Sequence, residues 1–166
     1  YPDDVDVVLD NIRAYNPTAK VILAASSLAV DKPELINGKR VLVVEDGPTL
    51  THGEMDLGAG MVAARRFGAA EFVDPRPWTV GKITETFEKY TEIGTLLPAM
   101  GYGDEQMKDL EKTIAGVECD SVVIGTPIDL GRFIKIKQPS TRVHYELAEI
   151  GTPSVKSVLR DAKFIK

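Results

Sequence analysis

Apolar residues in this chain fall into short runs separated by polar, glycine- and proline-containing stretches, and their spacing alternates between helical and strand-like from one end to the other. Val5, Val8, Leu9 and Ile12 recur at helical spacing behind Asp3 and Asp4, which suit a helix N-terminus, and Asn16-Pro17 ends that helix. Lys20 to Ala25 (KVILAA) predicts a buried strand that ends in Ser26-Ser27. Val41 to Val44 is a continuous aliphatic run, the pattern of a strand covered on both faces. Leu57 to Phe67 predicts a helix closed by Gly68, with Arg65 and Arg66 in its last turn, where cations complement the helix dipole. Glu71 to Asp74 is a short strand, and Lys82 to Tyr90 a helix with Ile83 and Phe87 on one face. Thr95 to Ala99 is a strand, followed by a helix that Asp104 can cap and whose apolar face is Met107, Leu110 and Ile114. Ser121 to Gly125 is another buried strand, with a short helix after Asp129. Arg142 to Leu147 alternates as a strand, and Thr152-Pro153 opens a last helix with Val155, Val158 and Leu159 inward. Strands alternating with helices predict an α/β fold, a three-layer sandwich around a mainly parallel sheet.

Composition narrows the function classes. Of 166 residues, 43% are hydrophobic and 27% charged, which suits one domain or one domain with a piece of another. No apolar run reaches the roughly 18 residues of a membrane span, so no membrane partner is expected. The net charge of -5 argues against nucleic acid as a partner. Cys119 is the single cysteine, which excludes an internal disulfide and makes a cytoplasmic location the expectation. Sparse Asn and Gln suit a thermophile. The chain opens at Tyr1, without Met and directly into a helix, and reads as a piece of a longer protein; the turn-rich Asp31 to Lys39 is the candidate boundary between two modules.

Candidate chemistry gathers where strands end. Glu45 and Asp46 follow the apolar run, and in open α/β sheets ligands bind beyond the carboxyl ends of the strands. Two successive carboxylates there suit Mg²⁺, which takes one or two carboxylates together with substrate phosphates and waters, and either can serve as a catalytic group; the plainer reading is that one of them caps the following turn. The next loop carries Thr49, Thr51, His52 and Gly53, with His52 as an acid, base or phosphate contact, or simply a turn residue. Two more strand-end loops hold Gly101 and Gly103, and Thr126. Arg76, in Asp74-Pro75-Arg76-Pro77, could hold a phosphate rigidly or only bond Asp74. Arg132, Lys135, Lys137 and Arg142 could neutralise a polyanionic substrate or form a solvated face. His144, inside a predicted strand, reads as structural. No G-x-x-x-x-G-K-[ST] occurs, so this sequence alone makes no P-loop phosphate cradle, and an upstream P-loop domain is the expected partner for nucleotide chemistry.

The blocks VLVVEDGPTLTHGEM (Val41 to Met55), VDPRPWTVGKI (Val73 to Ile83), LPAMGYGDEQMKDLE (Leu97 to Glu111) and VVIGTPIDL (Val122 to Leu130), with RVHYEL (Arg142 to Leu147) more loosely, resemble the C-terminal part of the archaeal cyclic 2,3-diphosphoglycerate synthetases and the related predicted GTPases. The resemblance implies that residues 1–36 are the C-terminal end of a P-loop nucleotide-binding domain, with Ala25 and Ser26 at the nucleotide base, and that residues 38–166 are a C-terminal α/β domain. It further implies ATP or GTP as substrate with Mg²⁺ and a small phosphorylated molecule, the ATP-driven closure of an intramolecular phosphoanhydride or a related phosphoryl transfer, and a chain that alone lacks activity. On that pattern Glu45, Asp46 and His52 would supply metal or proton contacts, and Thr49, Thr51, Gly53, Arg76, Gly101, Gly103, Thr126, Arg132, Lys135 and Arg142 the substrate contacts. The alternative is a non-catalytic α/β module that binds a ligand, or forms a homo-oligomer, and regulates chemistry located upstream.

Overall fold

The computed structural model describes residues 2–47 and 58–166. The order of elements is α1 (Pro2–Tyr15), β1 (Ala24–Val30), β2 (Arg40–Asp46), α2 (Ala59–Arg66), β3 (Glu71–Phe72), α3 (Lys82–Lys89), β4 (Leu97–Ala99), α4 (Asp104–Gly116), β5 (Ser121–Ile124), β6 (Ser140–Glu149) and α5 (Val155–Asp161), with short 3-10 turns at Pro33–Leu35, Arg76–Trp78 and Leu130–Arg132. The fold class is the expected one: an α/β sandwich on a mostly parallel sheet. The path through the sheet is β1-β6-β5-β2-β3, and β4 pairs with β2 off that path. The pairs β2–β3, β2–β4, β2–β5 and β5–β6 are all parallel.

The chain divides into two compact units, Tyr1–Ser27 with Leu147–Lys166, and Leu28–Glu146. The second holds the hydrophobic core. Val41 to Val44 of β2, Leu96 and Leu97 around the start of β4, Leu110 and Ile114 of α4 and Val122 and Val123 of β5 are all buried, each contributing roughly 1.5 to 3 kcal/mol. A strand buried on both faces has no room for polar alternation, which is why β2 reads as an unbroken aliphatic run. Around it the helices end as their sequences require. Gly68, at φ +79°, closes α2. Gly81, at φ +54°, precedes α3, whose Lys82 amide donates to Asp109 Oδ2 of α4 at 3.2 Å, so one helix caps the next.

The structure departs from the sequence pattern in four places. The strand expected at Lys20–Ala25 lies at Ala24–Val30, because its extent is set by pairing with β6: the Ile150 amide donates to the Leu23 carbonyl and the Asp31 amide to the Arg142 carbonyl. Ser26 and Ser27 therefore sit inside β1. Asp104 is the first helical residue of α4, and Gly103 occupies the N-cap, its amide donating to Gln106 Oε1 at 3.3 Å. The last helix starts at Val155 behind Ser154, whose Oγ accepts the Ser157 amide at 3.0 Å. Its Val155 and Leu159, expected inward, are exposed, as are Val5 and Val8 of α1. Among the described residues no helix is long and apolar enough to cross a membrane.

Candidate functional site at the carboxyl edge of the sheet

Parallel register brings the strand ends to one level. Asp46 lies opposite Ala99, Val44 opposite Ile124, and Ile124 opposite Arg142. The loops that leave β2, β4 and β5 therefore begin side by side, as in sheets whose ligands sit beyond the carboxyl ends. Backbone lies against backbone at this edge. A Cβ on Gly47 would lie 2.3 Å from Met100 Sδ and 2.9 Å from the Ala99 carbonyl oxygen, and one on Gly125 would lie 2.6 Å from the Gly60 amide nitrogen. Only residues without side chains permit this approach.

The adjacent acids Glu45 and Asp46 face opposite ways, as successive residues of a strand must. Glu45 points inward and is 2% exposed. Its Oε1 accepts the Met61 amide of α2 at 2.8 Å, and the Gly60 amide donates to the same carboxyl group, so Glu45 braces the N-terminus of α2 from inside. Gly58, Gly60 and Gly125 wall the carboxylate: a Cβ on any of them would come within 3.1 Å of it. Burial pushes the Glu45 carboxyl up to about 7, against the two amides, which favour the charged form. Asp46 is half-buried and accepts a hydrogen bond from the Tyr102 hydroxyl at 3.0 Å, a contact between the β2 and β4 loops. Partial burial first, and then Asp46, raise the Tyr102 phenol to about 12, which keeps it a donor at any physiological pH.

The β5 loop is held from within. Thr126 is buried, and its hydroxyl donates to the Ile128 carbonyl at 2.9 Å. Arg142 lies 3.8 Å from Asp129, and its Nε is buried with no hydrogen-bond partner among the described residues. Arg132 and Lys135 are exposed beyond this loop, and the Lys135 amide donates to Glu111 Oε2 at 3.3 Å.

The other expected residues are distributed as follows. Gly101 and Gly103 lie in the β4 loop, where a Cβ on either would meet the Gln106 side chain. Arg76 is engaged locally: its guanidinium meets both Asp74 oxygens at 3.0 Å, donates to the Ile93 carbonyl and stacks 4.7 Å from the centre of the Phe87 ring. Lys137 is exposed, and His144 stands 3.4 Å from Asp31 and 3.5 Å from Glu146. Ala25 and Ser26 are exposed within β1. Thr49, Thr51, His52 and Gly53 lie outside the described residues. Sequence reasoning did not single out Tyr102 or Gly125. The only sign of Tyr102 was its place between two glycines of a strand-end loop, and nothing local distinguishes a glycine that faces a buried acid from one that merely turns the chain.

As a metal ligand Asp46 fits: it is a partly exposed carboxylate at a strand end, and Mg²⁺ requires only one or two such groups beside phosphate and water. Glu45 does not fit, since its oxygens are enclosed by α2 amides and glycine backbone. Among the described residues no three His, Cys, Asp or Glu side chains gather as a metal cage.

Over 159 residues, 96% of its length, the chain is 58% identical to the arginine synthetase ArcE of Thermococcus kodakarensis, and the aligned stretch is 36% of that protein. The chain thus spans about a third of the length of the curated relative it matches. No protein-family model matches it. No solved structure matches it either.

Proposed function

We propose that this chain is part of a nucleotide-dependent synthetase whose product is arginine, and that the carboxyl edge of the sheet forms part of its reaction site. The observation that carries this reading is the 58% identity, extending over nearly the whole chain, to a protein named as an arginine synthetase. Identity of that extent spans the β2, β4 and β5 loops together, so it covers the assembled edge as well as the apolar strands behind it.

Driving a condensation with a nucleotide proceeds through phosphoryl or nucleotidyl transfer, in which negative charge shifts among phosphate oxygens and catalysis is mainly positioning and neutralisation. Mg²⁺ held by Asp46 would supply part of that neutralisation when bound. Tyr102 fixes the Asp46 carboxylate by donating to it. Arg142, whose inner nitrogen has no hydrogen-bond partner among the described residues, would meet an anion beyond β5. Glu45 holds the start of α2, and Thr126 holds the turn after β5. With no Walker A sequence of its own, the chain would take its nucleotide with residues outside these 166.

A second reading keeps the nucleotide but makes the product a cyclic phosphoanhydride, as the four sequence blocks suggest. The two separate on one assay. The intact protein is given arginine with either a nucleoside diphosphate and phosphate or a nucleoside monophosphate and pyrophosphate, and nucleoside triphosphate formation is measured, since a synthetase can be read from its product side. Triphosphate formed only when arginine is present supports the arginine reading; none formed from arginine under any pairing overturns it. In the same assay Asp46→Ala should lower turnover at least tenfold, about 1.4 kcal/mol. A variant that alters only the concentration of substrate required, with maximal rate intact, would instead make this edge a binding module.

A further inference from the structure

The unit made of Tyr1–Ser27 and Leu147–Lys166 encloses no core: among its residues of described burial, none is buried. Yet both of its helices carry apolar residues at helical spacing, Val5, Val8 and Ile12 in α1, and Val155, Val158 and Leu159 in α5. Val8 is 55% exposed, Tyr15 90% and Phe164 79%. Helices of this length are stable in water through burial of an apolar stripe rather than through propensity. A unit whose described residues are at most half-buried has little to offset the entropy of ordering its backbone. The lack is confined to this unit, since the other buries Val41 to Val44 of β2.

What is missing has a shape. An open apolar groove of about 640 Å³ runs beside α1, lined by Val8, Ile12, Tyr15, Ala19, Val21 and Ile22. A continuous groove of about 360 Å³ extends it along Val5, Leu9 and Leu23. A face of this kind resembles a domain core cut in half more than the polar-rimmed patch of a transient contact. The alignment with the arginine synthetase takes in 96% of this chain, so it reaches well into this unit, while most of that protein's length lies outside the aligned stretch. We propose that α1, α5 and the segment around β1's first residues form one layer of a domain completed by the remainder of the same polypeptide, which seats an apolar segment in the groove beside α1. Leu147–Lys166 then belongs with Tyr1–Ser27 in that domain, and the intervening residues are carried as an insertion between its parts. Whether the product is arginine does not enter.

The test compares the longer polypeptide with the 166-residue chain, each carrying Cys119→Ser to remove the native thiol. Val8→Cys is labelled with a maleimide beside Lys112→Cys, an exposed control in α4. In the longer protein Val8→Cys should react about 100-fold more slowly than the control, at every protein concentration and with a monomer mass, and in the 166-residue chain the two should react alike. Equal reactivity in the longer protein overturns the proposal. Protection that fades on dilution also overturns it, in favour of a second copy on the groove. Hydrogen exchange of the α1 amides in the unsubstituted proteins answers independently of any variant's folding: slower exchange by a similar factor in the longer protein supports the inserted layer, and equal exchange overturns it.

Discussion

Where β2 begins, Arg40 pairs with Glu71 at 3.0 Å and its amide donates to Asp120, all on the surface. Where β2 ends, Glu45 is sealed among glycines and α2 amides while Asp46 takes the Tyr102 hydroxyl. Both ends carry charge, but they treat it differently. At the start, opposite charges meet in water, where each was already well solvated and the pair adds little. At the end, a carboxylate has been withdrawn from water and its partners are backbone dipoles, so its charge depends on the packing of three separate segments. The amino edge of this sheet is tolerant, and the carboxyl edge is built to a close fit, the combination expected of a scaffold that presents a site at one side.

The largest break in that contrast should come from Gly125→Ala. The new Cβ would stand 2.5 Å from Glu45 Oε2 and 2.6 Å from the Gly60 amide nitrogen, and backbone cannot swing away as a side-chain tip can. A loss of about 2 to 3 kcal/mol is expected by chemical denaturation, as for overpacking in a dense interior; a loss under about 0.5 kcal/mol would show that the edge is loose.

Comparable in size is the pH dependence of Glu45. Its folded-state carboxyl stands at about 7, above the ordinary 4.5, so the folded state holds the proton more tightly than the unfolded chain. The stability this provides is fully present below about pH 4.5 and is lost as pH rises through about 7, a change on the order of 3 kcal/mol. Comparing denaturation of the wild type with Glu45→Gln, both without divalent metal, should show a steeper fall between pH 5 and 8 in the wild type. Parallel curves would mean that Glu45 is ionised in the fold at little cost.

The smallest effect belongs to the opposite end. Arg40→Ala removes an exposed pair whose hydrogen bond raises the guanidinium's pKa without enclosing it. No measurable change in Tm is expected, and a clear drop would erase the distinction between the two edges.

Much of this was legible in advance because it depends on near neighbours. The unbroken Val41–Val44 run announced a two-sided strand, Gly68 announced the end of α2, and the acids and glycines after β2, β4 and β5 announced a polar edge. The strand placed at Lys20–Ala25 shows the limit of such reading. Its residues are apolar enough, yet strand boundaries follow the partner's hydrogen bonds, and β6 pairs with Ala24–Val30. The apolar stripe of α5 is expected inward because that is what such stripes are for, but among the described residues Val155 and Leu159 stay exposed, as do Val5 and Val8 of α1.

By itself, then, the order of residues determined the α/β class, the central place of β2 and the location of its carboxylates, since periodicity and propensity act over a few residues and need no partner. Tertiary structure alone decided that Glu45 braces α2 while Asp46 meets Tyr102, that Gly125 must lack a side chain, and that α1 and α5 present bare apolar faces. The first three turn on atoms from segments distant in sequence meeting within about 3 to 4 Å, and the last on no such segment among the described residues reaching those faces, conditions that no local pattern encodes.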